Sequence, residues 1–200
     1  MILVDVLKNG FSVVQFVYEE LFVRIRYNEK TIAAYYRKKG ALIGEDCVIQ
    51  SKFYGIQYYL LNIGNHVFIA NEVILHTHDG ATWIVKNEYP SILKFGKIII
   101  EDNCLIGARA QILPNVRVGS NSIIGAGSVI IADIPANSVV MGVPGRVIGS
   151  SQKYKEKCIE IWNKQTPPGY ENMTPKQRAF ALKKHLLEIL SDPKFDHKSK

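Results

Sequence analysis

The chain has 200 residues, with 47% hydrophobic and 22% charged side chains and a formal net charge of +7. This balance excludes a disordered polyelectrolyte and suits one or two folded domains. No apolar run is long enough to cross a bilayer, and the first ten residues lack the pattern of a signal peptide.

The three cysteines, Cys47, Cys104 and Cys158, form no CxxC pair and no disulfide framework, so a reducing, cytoplasmic setting is expected. The positive charge is uneven. Residues 1–40 carry +3, residues 41–150 carry −1 and residues 151–200 carry +5. Nucleic-acid binding wants basic side chains among aromatic platforms, or a reading helix. Here bases are mixed with acids and no such motif occurs, so no nucleic-acid partner is expected. The basic flanks could touch an anionic membrane surface, but their amphipathic pattern does not support it.

Residues 12–26 and 29–39 have the spacing of short amphipathic helices, the second stopped at Gly40. They make residues 1–40 a helical segment. A repeat then runs through residues 41–149. Aliphatic residues recur every six positions at Ile100, Ile106, Ile112, Val118, Ile124 and Ile130, with Ala136 next in step. Two positions earlier stand Ile98, Cys104, Ala110, Val116, Ser122, Ser128 and Ile134, mostly small or apolar. The same grammar occurs earlier, at Ile43, Ile49, Ile63, Ile69 and Leu75.

A period of six is neither helical nor that of a simple strand. It fits a short strand plus a tight turn, three of which close a triangular coil of 18 residues. Coils then stack at about 4.8 Å, with the aliphatic residues piled inward as one core. Gly and Asn are expected to supply the unusual backbone of the corners. Cys47 and Cys104 fall on inward positions and should be buried. The fold class is therefore mainly β, a parallel β-helix with helical flanks.

The repeat breaks between Leu75 and Ile98, where a loop of about 20 residues leaves the coil. It opens with His76-Thr77-His78-Asp79, two imidazoles and a carboxylate, and carries Trp83. After the repeat, residues 151–164 and 174–190 read as helices, the second started by Thr174-Pro175. Residues 150–200 thus form a second helical segment, with 191–200 expected to fray.

Residues 106–130, IGARAQILPNVRVGSNSIIGAGSVI, and 142–148, GVPGRVI, resemble the hexapeptide-repeat acyltransferases. The run RKKGALIG at 37–44 is similar to the polysaccharide-type O-acetyltransferases among them. The resemblance covers residues 37–149. It implies a left-handed helix, a homotrimer, and acetyl-CoA as acyl donor in the groove between subunits, with no metal. It implies acetyl transfer to a sugar hydroxyl, in surface polysaccharide biosynthesis. N-acetylation of an amino sugar or nucleotide sugar, or antibiotic acetylation, are the alternatives. Further off stand a non-catalytic scaffold and a zinc carbonic anhydrase-like protein using His66, His76 and His78.

Acyl transfer from a thioester to a hydroxyl needs a base, a held nucleophile and donors for the oxyanion. Histidine suits the base role. The resemblance points to His78, at the departure of the loop, with His76 as second choice or as an orienting residue. Asp79 could orient a histidine or bind the acceptor. Trp83 could stack on a sugar, plug the loop from beneath or pack between subunits. For the donor, the resemblance implies backbone contacts at Gly107, Ala108, Gly125 and Ala126. Ile131 and Ala132 stand where the family often has Thr and Lys, losing a hydroxyl and a charge. Arg146 matches the basic residue of the terminal motif and is the candidate for CoA phosphates.

Overall fold

A computed structural model describes residues 21–22, 25–53 and 56–191. The chain divides into two compact units, Met1–Ser151 and Gln152–Lys200. The predicted helix over 12–26 falls largely outside the described residues; Leu21, Phe22, Ile25 and Arg26 at its end are helical.

In the first unit, the predicted helix over 29–39 is α1 (Ile32–Lys38). Its basic last turn, Arg37 and Lys38, suits a helix C-terminus, and Gly40 with φ +100° ends it. Ile32, Ala33 and Tyr36 face the core, and Tyr36 stacks on Phe53 at 4.9 Å and on Tyr58 at 5.5 Å. The Phe53 amide donates to the Tyr36 hydroxyl at 2.9 Å. This aromatic cluster belongs to the same core as the repeat and caps its first turn, as an end of a stacked repeat requires.

The repeat follows as β1 (Leu42–Ile43), β2 (Val48–Ile49), β3 (Leu61–Ile63), β4 (Phe68–Ile69) and β5 (Ile74–Leu75). Beyond the loop come β6 (Ile98–Ile100), β7 (Leu105–Ile106), β8 (Gln111–Ile112), β9 (Arg117–Val118), β10 (Ile123–Ile124) and β11 (Val129–Ile130). Last are β12 (Ser138–Met141) and β13 (Arg146–Ser150). The chain visits three sheets in turn, ordered β1-β3-β6-β9, β2-β4-β7-β10-β12-β13 and β5-β8-β11. All pairs are parallel except β12 with β13, whose antiparallel hairpin closes the series. The fold is mainly β, with a coil built as the six-residue period predicts.

Registers give the coil length. Ile100 pairs with Val118, Ile106 with Ile124 and Ile112 with Ile130, each 18 residues on. Every repeat aliphatic from Ile43 to Ile130 is buried, and so is every residue two positions before it. The last turn departs from the six-step count. Val118 bridges to Ile134 and Ile124 pairs with Val140, each 16 residues on, so Ala136 is exposed and Ile134 and Val140 fill the core instead.

The corners divide the work differently from the sequence expectation. The left-handed backbone falls to Asn103, Arg109, Asn115, Asn121 and Gly127, six residues apart. The glycines after the inward aliphatics have ordinary φ. They are there because the next coil's backbone passes close: a Cβ on Gly107 would lie 2.6 Å from the Ala126 nitrogen, and one on Gly119 2.4 Å from that of Ala136. Cys47 and Cys104 are buried as expected, their thiols near the Gly64 and Gly119 carbonyls at 3.2 and 3.3 Å. Burial pushes both thiols above their ordinary range.

The helix α2 (Ser151–Gln165) starts at the last residue of the first unit; the rest of it and α3 (Pro175–Leu190) make up the described α-helices of the second. The predicted start signal of α3 is realised as a capping box: the Thr174 amide donates to Gln177 Oε1 at 2.9 Å, and the Gln177 amide to Thr174 Oγ1 at 3.4 Å. Residues 192–200 lie outside the described set. No described helix is long and apolar enough to cross a membrane.

The corner packing predicts opposite outcomes for two glycines. Gly119→Ala forces backbone apart and should cost about 1–3 kcal/mol. Gly149→Ala meets nothing within 4 Å and should be near neutral. Urea unfolding midpoints of the two variants check this; equal midpoints would contradict the close-approach reading.

Candidate functional site

The insertion leaves the coil after Leu75 and rejoins it at Ile98, and its stem is a backbone clamp. The His76 amide donates to Ile112 O at 2.9 Å, which keeps it on the coil. The Gly96 amide donates to Thr77 O at 3.0 Å, His78 bridges antiparallel to Phe95, and the Asp79 amide donates to Lys94 O at 2.8 Å. Thr77 is fully buried beneath this stem. The hydrophilic start of the loop is thus paired with its end as in a short antiparallel ladder.

His78 stands in an open cleft of about 380 Å³, with Gln57, Asp79, Thr82, Trp83 and Lys86 among its walls. Gln57 is the residue that the sequence reading missed. Its Oε1 lies 3.3 Å from His78 Nδ1 and accepts from the Thr77 hydroxyl at 2.7 Å, while its amide donates to that hydroxyl at 3.0 Å. An amide oxygen only accepts, so the neutral ring that pairs with it carries its hydrogen on Nδ1 and its lone pair on Nε2. The signal for Gln57 was present: Ile49 to Ile63 is two residues longer than two hexads. That extra chain carries Gln57.

The remaining predicted residues separate. His76 points its Nε2 to Gln111 Oε1 at 3.1 Å, on the coil surface. Asp79 makes no hydrogen bond to either imidazole among the described residues. It caps the 3-10 helix Gly80–Val85 through the Ala81 amide at 2.9 Å and takes Lys94 Nζ at 2.8 Å. The Lys94 ammonium, then the Ala81 amide, hold its carboxyl below the usual range. Trp83 is 79% exposed, so it does not plug the loop from beneath.

The donor candidates fall on two corners of the coil. Gly107 and Ala108 follow β7, and Gly125 and Ala126 follow β10, its partner strand, so the four stack on one corner. The amides of Ala108 and Ala126 donate to no acceptor among the described residues, while Ala108 O accepts from Gly127 at 2.8 Å. Ile131 and Ala132 lie on the next corner, because Leu75, Ile112 and Ile130 share a register. That places Ile131 two strand spacings, about 10 Å, from His76. Arg146 is exposed at the start of β13. Lys153, Lys155 and Lys157 are exposed on α2 in the second unit. No three His, Cys, Asp or Glu side chains among the described residues gather as metal ligands, and His66 Nδ1 sits on Asn103 Oδ1 at 2.8 Å.

Comparison with known proteins agrees with this architecture. The model of the bacterial transferase hexapeptide family (six repeats) matches residues 97–132. Protein CapG of Staphylococcus aureus is 41% identical over 127 residues, 62% of this chain and 74% of that protein. Galactoside O-acetyltransferase of Lactococcus lactis is 37% identical over 134 residues, 54% of this chain and 62% of that enzyme. Among solved structures, a hexapeptide-repeat acetyltransferase of Vibrio cholerae complexed with acetyl coenzyme A superposes with a TM-score of 0.51 at 26% identity, over 56% of this chain and 61% of that one.

The Asp79 brace has a defined pH window. Its folded carboxyl is depressed, so its contribution is present above the unfolded value, about 3.9, and is lost as pH falls through the folded one. Carboxyl-carbon NMR should place the Asp79 midpoint below 3.9 by this argument and move it upward in Lys94→Ala. An unmoved midpoint would remove Lys94 from the brace.

Proposed function

We propose that this chain, which belongs to the bacterial transferase hexapeptide family, is an acetyl-CoA-dependent O-acetyltransferase acting on a sugar hydroxyl. The observation that carries the proposal is His78, in a cleft at the loop stem, with Gln57 at Nδ1 and Nε2 left as a base. The acetyl-CoA bound by the Vibrio cholerae structure and the galactoside substrate of the Lactococcus lactis enzyme support the choice of donor and acceptor. Synthesis of a surface polysaccharide is the setting we assign, in the cytoplasm.

In this reading His78 Nε2 takes the proton of the acceptor hydroxyl as its oxygen attacks the thioester carbonyl. The tetrahedral intermediate collapses, the C–S bond breaks, and the proton passes from Nε2 to the CoA thiolate. Gln57 keeps the imidazolium oriented throughout, with the buried Thr77 hydroxyl holding Gln57. His76, fixed on Gln111, supports the stem and is not the base.

The donor reading completes the assembly. The small-residue corner at Gly107, Ala108, Gly125 and Ala126 offers close backbone approach and two amides, unpaired among the described residues, to the amide-rich pantetheine arm. It lies one corner away from Ile131 and Ala132, on the histidine side. We assign the donor to a groove between copies of a homotrimer of left-handed helices, where one chain's alanine corner meets its neighbour's histidine corner. Arg146 is assigned to the CoA phosphates. Residues 41–149 are the catalytic domain in this scheme, with α1 before them in the chain and α2 and α3 after. An amine acceptor would use the same base.

Thiol release from acetyl-CoA, measured over a panel of sugar acceptors, tests the assignment. His78→Ala should lower turnover by about 10²–10⁴-fold. Gln57→Ala should lower kcat more than it raises KM. Full turnover in His78→Ala would remove the base, and a stable monomer by light scattering would remove the groove between copies.

A further inference from the structure

We infer that the acceptor is an anionic sugar, bearing a carboxylate or a phosphate, and that Lys86 reads the charge; this rests on the acetyl-transfer reading above. The titratable walls of the cleft are His78, Asp79, Lys86 and Lys94. Two of them cancel. Asp79 spends one oxygen on the Ala81 amide and the other on Lys94, forming a neutral pair. Lys86 is half-buried and has no acidic partner among the described residues. One uncompensated positive charge therefore stands in the cleft beside His78.

The placement of Lys86 suits a sugar. It is the C-cap of the 3-10 helix Gly80–Val85, and its amide donates to Trp83 O at 3.2 Å. In a 3-10 helix, side chains three apart eclipse. Trp83 and Lys86 thus leave the helix on the same side, one turn apart, and both line the cleft. The exposed indole can take the C–H face of a sugar ring, while the ammonium meets an anionic substituent on the same ring. Half-burial strengthens that contact relative to open solvent. A neutral sugar would leave the ammonium without a counter-charge when the acceptor displaces water from the cleft.

Matched probes test this. Saturation-transfer NMR would measure binding of methyl glucuronide against methyl glucoside, and of glucose 6-phosphate against glucose. Acetyl transfer to the same four sugars would be followed in parallel. The charged member of a pair should bind about fivefold tighter in the wild type, the scale of a partly exposed ion pair. The ratio should fall to about one in Lys86→Met, persist in Lys86→Arg and shrink as salt rises. Preference for one pair alone identifies the anion as carboxylate or phosphate. Equal binding within both pairs, or a preference that survives Lys86→Met, overturns the inference. So does a Lys86→Met variant that raises KM for acetyl-CoA and keeps its acid preference, which would give Lys86 to the donor. Acetylation of neutral sugars without acid preference defeats only this inference. Acid preference in binding without any acetyl transfer defeats only the catalytic reading.

Discussion

The structure depends on register between stacked turns of the coil. Ile49, Ile69, Ile106, Ile124 and Val140 form one inward column, each on its equivalent in the next turn and each fully buried. The period of two within a strand makes the constraint severe. A slip of one residue would turn the whole column outward. The two-residue strands make few hydrogen bonds each, so side-chain stacking and ladder bonds must agree at every turn. Glycine follows Ile106 and Val118 because the next coil leaves no room for a Cβ there. Elsewhere at the corners, side chains tie turns together, as where Asn103 donates to Asn121 and Asn121 to Asn137.

A register-locked coil can hold extra residues only by expelling them between strands. The insertions that matter lie between Ile49 and Ile63 and between Leu75 and Ile98. They re-enter the coil at β3 and β6, which pair directly, Leu61 with Ile98. The two insertions therefore lie one above the other, and Gln57 from the first meets Thr77 and His78 from the second. The site is a consequence of where the repeat fails. The geometry around His78 gains precision because both stems are anchored in the sheet rather than in free loop.

Charge follows the same economy. Glu101 lies on the outer face of the coil, held by Ser120 and Arg117 down to about 2, and serves as a brace between turns. Asp79 and Lys94 brace the loop. Both pairs consume their charges locally. The net charge of −1 over residues 41–150 thus conceals a cleft of the opposite sign at Lys86. Segment totals describe the neighbourhood of a charge poorly when ion pairs are this local.

The amino-acid sequence by itself determined the coil, its inward residues, the position of the loop and the cap of α3. These are local or periodic properties, fixed by spacing six apart and by side-chain size. The break in the pattern drew notice to His76 and His78, and the family resemblance chose His78 as the proposed base. Tertiary structure alone decided the partners. Asp79 is adjacent to His78 in the chain, yet the stem turns it toward Lys94 and Ala81. Gln57 is 21 residues from His78, yet the stacking of the two insertions brings it to the ring. The shortened last turn, too, is visible only where Val140 replaces Ala136 in the core. Period and composition report what each turn buries, whereas contacts between expelled segments depend on which turns stack, and that is a property of the folded coil.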